Sequence, residues 1–354
     1  MLGIDRRTAR ITWTVVLILL LLGILYRIRE TLLVFAIALL LAYLLWPLVE
    51  YLDRRLPGRS RTPALAIVYL ALVGILTIIG FAIGSRVVAE ASALAGRLPD
   101  LISRIQHATP PTAGPMNQSV KFAVFSTIRK QVTEHSRELL ALLPEAGLKI
   151  VSAAGRIVFI MLVPVLSFFF LKDGGEMRRS LLEIFNDGEQ REKVQGILAD
   201  LHVLLAQYMR ALVVLAASSF LAYAVFLSLI GAPYVILLAA VAFPLEFIPL
   251  VGPLTAAGIA LLVTGLSGFH HLLWIVVFII CFRFFQDYVV SPQVMSAGME
   301  IHPLAVIFGV LAGAAIGGVA GTFLSVPVLA TLRIIYRRSV RRAIVVPVEP
   351  QSTT

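Results

Sequence analysis

Charge is what this sequence has least of. Only 14% of its 354 residues are Asp, Glu, Lys or Arg, roughly half the share that a water-soluble domain uses to wet its surface. Cysteine is nearly absent: the single Cys281 lies inside an apolar run. It excludes a disulfide within the chain and a cysteine-based metal site, and it reads as a small packing residue. No Gly-x-x-x-x-Gly-Lys-Ser/Thr stretch occurs, which removes the phosphate-cradling loop of ATP hydrolysis. No His-Glu-x-x-His occurs either, and the adjacent His270 and His271 point about 100° apart on a helix, so they cannot grip one metal. With no Gly-x-Ser-x-Gly elbow, the sequence offers no catalytic residue, no metal site and no cofactor, and a non-enzyme is expected.

What is abundant is apolar length. Hydrophobic residues make up 59% of the chain and the mean hydropathy is +0.93. Apolar runs at 11–26, 32–52, 64–88, 150–171, 211–230, 235–267, 272–290 and 303–334 are of membrane-crossing length or near it. The expected fold is therefore an all-α polytopic membrane protein with about eight membrane segments. The first run does not read as a cleaved leader, because it meets Arg27, Arg29 and Glu30 with no small-residue cleavage site.

The net charge of +10 would suggest nucleic acid in a soluble protein, but its placement argues otherwise. Arg6, Arg7 and Arg10 precede the first run; Arg54, Arg55, Arg59 and Arg61 follow the second; Arg333, Arg337, Arg338, Arg341 and Arg342 close the last. Basic flanks of this kind mark cytoplasmic ends and meet anionic lipid. Both termini are expected in the cytoplasm, and no nucleic-acid partner is expected.

The remaining organisation follows from these flanks. Residues 1–88 hold three spans, the first two joined as a helical hairpin by a short polar turn around Arg27 to Glu30. Residues 89–149 form a small helical extracytoplasmic domain, with stripes at Leu94, Leu98, Leu101, Ile105 and at Phe125, Ile128, Val132, Leu139, Leu143 around an elbow at 110–115. Residues 150–172 are the fourth span. Residues 173–210 are a charged cytoplasmic segment, where Asp187 and Gln190 have capping-box spacing and Val194, Ile197, Leu201, Leu204 and Tyr208 form an apolar stripe. Residues 211–336 are the transport core and 337–354 a basic tail.

Two segments are too long for one crossing. Residues 235–267 and 303–333 would make helices of about 50 and 46 Å against a hydrocarbon core near 30 Å. Each is broken or re-entrant. Pro244, Pro249, Gly252 and Pro253 interrupt the first; Gly309, Gly313, Gly317, Gly318 and Gly321 punctuate the second. With both termini on one side, either both segments cross or both turn back.

Ionisable residues at membrane depth are costly, and so are functional candidates. Glu246 sits in the proline-broken segment beside Pro249, Gly252 and Pro253, where a broken helix frees backbone groups for a solute or ion. Arg283, Gln286 and Asp287 cluster in the seventh run, with Arg283 and Asp287 spaced to pair. Glu246 and Asp287 are candidate coupling carboxylates, with Arg283 as counter-charge. Gly309, Gly313, Gly317 and Gly321 recur every four residues, a small-residue face for close helix packing. A secondary transporter of a small polar solute, coupled to proton or sodium, is the leading expectation. A sodium/proton exchanger, a passive oligomeric channel and a membrane scaffold without transport are alternatives.

These residues also carry a resemblance. Phe247-Ile248-Pro249-Leu250-Val251-Gly252-Pro253 resembles the Ile-Pro-aromatic-x-Gly-Pro signature of the autoinducer-2 exporter family, with Leu250 in the aromatic's place. Asp287 through Ser291-Pro292, Ile301-His302-Pro303-Leu304, the glycine run and Ser325-Val326-Pro327 resemble its terminal block, with Ser296 where glycine is common. Leu171-Lys172-Asp173-Gly174 resembles the close of its fourth span. The resemblance implies a bacterial inner-membrane permease, often a homo-oligomer, linked to export of the small polar signal autoinducer-2. Other family members resemble sodium/proton exchangers.

Overall fold

The computed structural model describes residues 6–56, 61–107, 157–294 and 302–340. Their regular structure is helical throughout: α1 (Arg6–Arg27), α2 (Arg29–Asp53), α3 (Thr62–His107), α4 (Ile157–Glu183), α5 (Gly188–Leu229), α6 (Val235–Leu245), α7 (Val251–Leu266), α8 (Leu272–Phe285), a π-helical turn (Gln286–Val290), α9 (Ser291–Val294) and α10 (Pro303–Val340). Among the described residues five helical stretches are long and apolar enough to cross a membrane. Their outward faces carry side chains such as Leu70, Ile78 and Phe81, exposed by 73, 68 and 80%. Such a surface suits lipid. The chain is an all-α, multi-pass membrane protein.

Several helices run past the ends that polar residues suggested. α1 and α2 are separated by Ile28 alone, and i to i−4 hydrogen bonds bracket it: Ile28 N–H to the Ile24 carbonyl and Leu32 N–H to the Ile28 carbonyl, both 3.0 Å. The expected hairpin at Arg27–Glu30 is therefore corrected. A reversal between helices takes a loop of about 2–5 residues, whereas Arg and Glu are good helix formers and stop nothing. α3 likewise passes through residue 88 to His107, and α5 through residue 210. α4 continues past Gly174 to Glu183. Asp187 does cap α5, its Oδ1 accepting from Glu189 N–H at 3.1 Å. The elbow at 110–115, the second stripe of residues 89–149, Ser296 and the distal arginines lie outside the described residues.

The chain forms two compact units, one of residues 1–51, 161–206 and 299–354, the other of residues 52–160 and 207–298. In the first, α10 is not one rod. Gly317 and Gly318 leave helical geometry, and Gly318 has φ 57°, a conformation that glycine adopts without strain. The chain folds back there: a Cβ on Gly313 would overlap the Gly321 carbonyl, one on Gly321 would overlap the Gly313 carbonyl, and one on Gly309 would press on Leu329. The expected single glycine face is therefore corrected: Gly309 and Gly313 receive the returning half, which carries Gly321, while Gly317 meets Leu33 of α2. His302 starts this hairpin, its Nδ1 accepting from Leu304 N–H at 3.2 Å. Elsewhere in this unit the His202 ring meets Tyr43 and Trp46 edge-on, with centroids 5.3 and 5.0 Å away, and Asp200 pairs with Arg338 at 2.6 Å.

The second unit holds the other re-entrant hairpin, α6 and α7, joined through residues 246–250. At 1.5 Å per residue these helices are about 16 and 24 Å long, too short to cross. Leu238, Ala239 and Ala242 of α6 share a core with Ala256, Ala260 and Val263 of α7, Tyr223 and Leu227 of α5, and Ile275 of α8. Both overlong segments therefore turn back, the second of the two arrangements that the flanking arginines allowed. α3 anchors the base of the hairpin, where Glu90 Oε2 accepts the Leu237 N–H at 2.8 Å. Tyr234, the residue at the N-cap, makes no side-chain cap, so a remote carboxylate meets the helix's free amides and its positive end. Glu90→Ala should raise amide exchange at Leu237 several-fold, matching about 1 kcal/mol for a lost cap. Unchanged exchange in hydrogen–deuterium mass spectrometry would show that the cap contributes nothing.

Candidate functional site

The turn between α6 and α7 places Glu246. Its N–H still bonds back to the Ala242 and Phe243 carbonyls at 3.2 and 3.3 Å, and Phe247 N–H to the Pro244 carbonyl at 3.2 Å, so the helix tightens before it ends. Pro249 has no N–H to continue it. Val251 N–H then reaches the Pro249 carbonyl at 2.7 Å, and Leu250 between them sits at φ 64°, ψ −54°, a rare and strained γ-turn. Gly252 lets the new helix begin against the old one, since any Cβ would overlap the Leu245 carbonyl oxygen. Pro253 falls in the first turn of α7, where the missing N–H has no partner to lose.

The facing wall is α8 and the π-helical turn. Pro292 lacks the amide that an α-helix would use, and Ser291 N–H instead bonds to the Gln286 carbonyl, five residues back. The widened turn begins at the polar residues of the site, a frequent location for such bulges.

These elements bring four expected site residues together. Arg283 holds Asp287 with two bonds, Nε to Oδ2 at 2.9 Å and Nη2 to Oδ1 at 2.7 Å, and its Nη1 stands 3.5 Å from Glu246 Oε1. The Glu246 side chain is 9% exposed and Asp287 46%. Asp287 is thus paired by its own helical neighbour in a half-exposed position, while Glu246 is the enclosed carboxylate. Glu246 Oε2 accepts the Ser219 hydroxyl at 2.8 Å. Gln286, buried, donates from Nε2 to Ser219 Oγ at 3.1 Å and to the Leu215 carbonyl at 3.3 Å.

Around this network lies a cavity of about 340 Å³, lined on its polar side by Ser219, Tyr223, Glu246, Arg283, Gln286 and Asp287. That volume is within the range that takes a small ligand and its water. Phe278 and Phe282 meet the Tyr223 ring edge-on at 5.3 and 6.3 Å. Pro253 lines the cavity, whereas Pro249 and Gly252 shape the turn behind it. Gly309, Gly313, Gly317 and Gly321 belong to the other unit and its hairpin. Ser219 and Tyr223 were not expected from the sequence. Their one signal was polarity within an apolar run, at Ser218-Ser219 and Tyr223. Among the described residues no group of three His, Cys, Asp or Glu side chains is placed to hold a metal ion.

A family model described as "AI-2E family transporter" matches residues 15–341. The chain is 26% identical over 314 residues to "Putative transport protein YueF" of Bacillus subtilis (strain 168), covering 86% of this chain and 83% of that protein. It is 26% identical over 341 residues to "Putative transport protein MT0215" of Mycobacterium tuberculosis (strain CDC 1551 / Oshkosh), covering 92% and 88%. A third relative, "Putative transport protein BpOF4_00890" of Alkalihalophilus pseudofirmus (strain ATCC BAA-2126 / JCM 17055 / OF4), is 23% identical over 335 residues.

Proposed function

Because the chain belongs to the AI-2E transporter family, we propose that it is a secondary transporter moving a small polar solute, autoinducer-2-like, out of the cell on a proton or sodium gradient. It works in the inner membrane of a bacterium as a homo-oligomer, with both termini cytoplasmic. The observation that carries this reading is Glu246: an enclosed carboxylate at the tip of a re-entrant hairpin, facing a cavity that also presents Tyr223 and Gln286. Paying to bury a carboxylate in an apolar protein is reasonable where its charge is to be exchanged. Arg283 serves as the counter-charge, and Asp287 keeps that guanidinium at the site.

One observation favours a second reading, sodium/proton exchange. Glu246 and Asp287 outnumber Arg283 in the cavity, so the site can draw a cation. Vesicles holding the full chain and a trapped pH dye separate the two. Solute export predicts saturable, gradient-dependent movement of a small polar solute. Exchange predicts sodium-dependent proton movement with no solute present. No flux under either gradient overturns both and leaves a scaffold.

A further inference from the structure

We propose that a single proton, landing on Oε1 of Glu246, works as a latch that frees the tip of the α6–α7 hairpin from α8 while leaving it hinged on α5. The inference rests on the reading of Glu246 as the coupling carboxylate and adds to it which atom takes the proton and what then moves.

The chain of hydrogen bonds fixes the atom. The Leu215 carbonyl can only accept, so the Gln286 atom facing it at 3.3 Å is the amide nitrogen. That same nitrogen gives its other hydrogen to Ser219 Oγ at 3.1 Å. Ser219 therefore has its own hydrogen left for Glu246 Oε2, 2.8 Å away. Oε2 thus holds the short bond, and Oε1, whose partner Arg283 stands farther off, is the oxygen more open to a proton. Oε1 is also the oxygen that faces Arg283 Nη1 at 3.5 Å.

Ionised, Glu246 attracts the guanidinium, and the hairpin tip is tied to α8. Protonated on Oε1, it presents a hydrogen to a group that carries only donors, and the attraction is lost. Arg283 does not follow the hairpin, because two bonds hold it to Asp287 on its own helix. The Ser219 hydroxyl still donates to Oε2 in the protonated form, though more strongly to the carboxylate, so α5 remains the pivot. The titratable and charged groups facing Glu246 are Arg283 and Asp287 from α8 and the π-helical turn, and Tyr223 from α5. Glu90, on α3, meets the far end of α6, about 14 Å away along the helix.

The test is a distance measured against pH. Spin labels on Cys281, exposed on α8, and on an introduced Thr255→Cys, exposed on α7, report the hairpin–α8 separation in lipid nanodiscs by double electron–electron resonance. In the wild-type background, sampled over about pH 4 to pH 9 to bracket the carboxylate range, the distance distribution should switch with the profile of a single-proton titration. Glu246→Gln, whose amide imitates the acid with its hydrogens toward Arg283, should hold the low-pH distance at every pH. Ser219→Ala should keep both distances and move the midpoint up by about one pH unit, since it removes a bond that favours the ionised form. A merely structural Ser219 would alter the distances and leave the midpoint in place. A pH-independent wild-type distribution, or Glu246→Gln titrating like wild type, overturns the latch. Flux in vesicles is scored separately. A titrating distance without flux keeps the latch and removes the transport reading; proton-coupled flux with a flat distance does the reverse.

Discussion

Gly313→Leu is expected to lose the hairpin of α10 and, with it, a folded, monodisperse protein. The Cβ alone would overlap the Gly321 carbonyl, and backbone cannot rotate aside as a side chain can. Overpacking a tight contact costs about 1–3 kcal/mol and more where backbone must move; a leucine adds three further carbons to the same gap. Thermal unfolding in lipid–detergent micelles measures it. Gly74→Ala is the matching control, because its Cβ would meet nothing within 4 Å. There the helix should gain up to about 1 kcal/mol from the propensity difference. Equal effects at both glycines would mean that α10 does not fold back on itself.

Gly252→Ala is expected to be the second most damaging change, and its damage should fall on function. The added methyl would overlap the Leu245 carbonyl oxygen, forcing α7 away from the turn that presents Glu246. A misplacement of about 1 Å in a positioned site can cost on the order of 100-fold in rate, so flux should fall by about that factor with the rest of the protein still folded. Gly258→Ala, on the same helix with an empty surround, should leave flux unchanged. Normal flux in Gly252→Ala would show that the turn's geometry does not matter to the site.

The membrane class and most of the site were legible because charge is scarce. Glu246, Arg283, Gln286 and Asp287 stand out in apolar surroundings, and the fold brings all four to one cavity. Excess length pointed to the two hairpins, and Pro249 and the Gly317-Gly318 pair mark where the chain turns. Helix ends were less legible. Arg27, Arg29, Glu30 and Lys172 look like boundaries by charge, yet each continues a helix readily, whereas a boundary needs a backbone reason to stop. Glu90 is hidden for the same reason: it lies beyond the apolar run of α3, yet the helix continues and carries it to the base of α6. Ser219 was hidden for another reason. A serine in an apolar helix costs little when it bonds to a neighbour, so nothing in its own segment announces the carboxylate it serves.

The most direct measurement of the account is the pH-dye signal in vesicles carrying either wild type or Glu246→Gln, compared at equal protein under the same imposed gradient. The substitution keeps the side chain's size and an acceptor for Ser219, and removes the exchangeable charge. If Glu246 carries the exchangeable proton, wild type shows gradient-driven proton movement that falls to the protein-free background in Glu246→Gln. Equal signals from the two proteins would contradict that role.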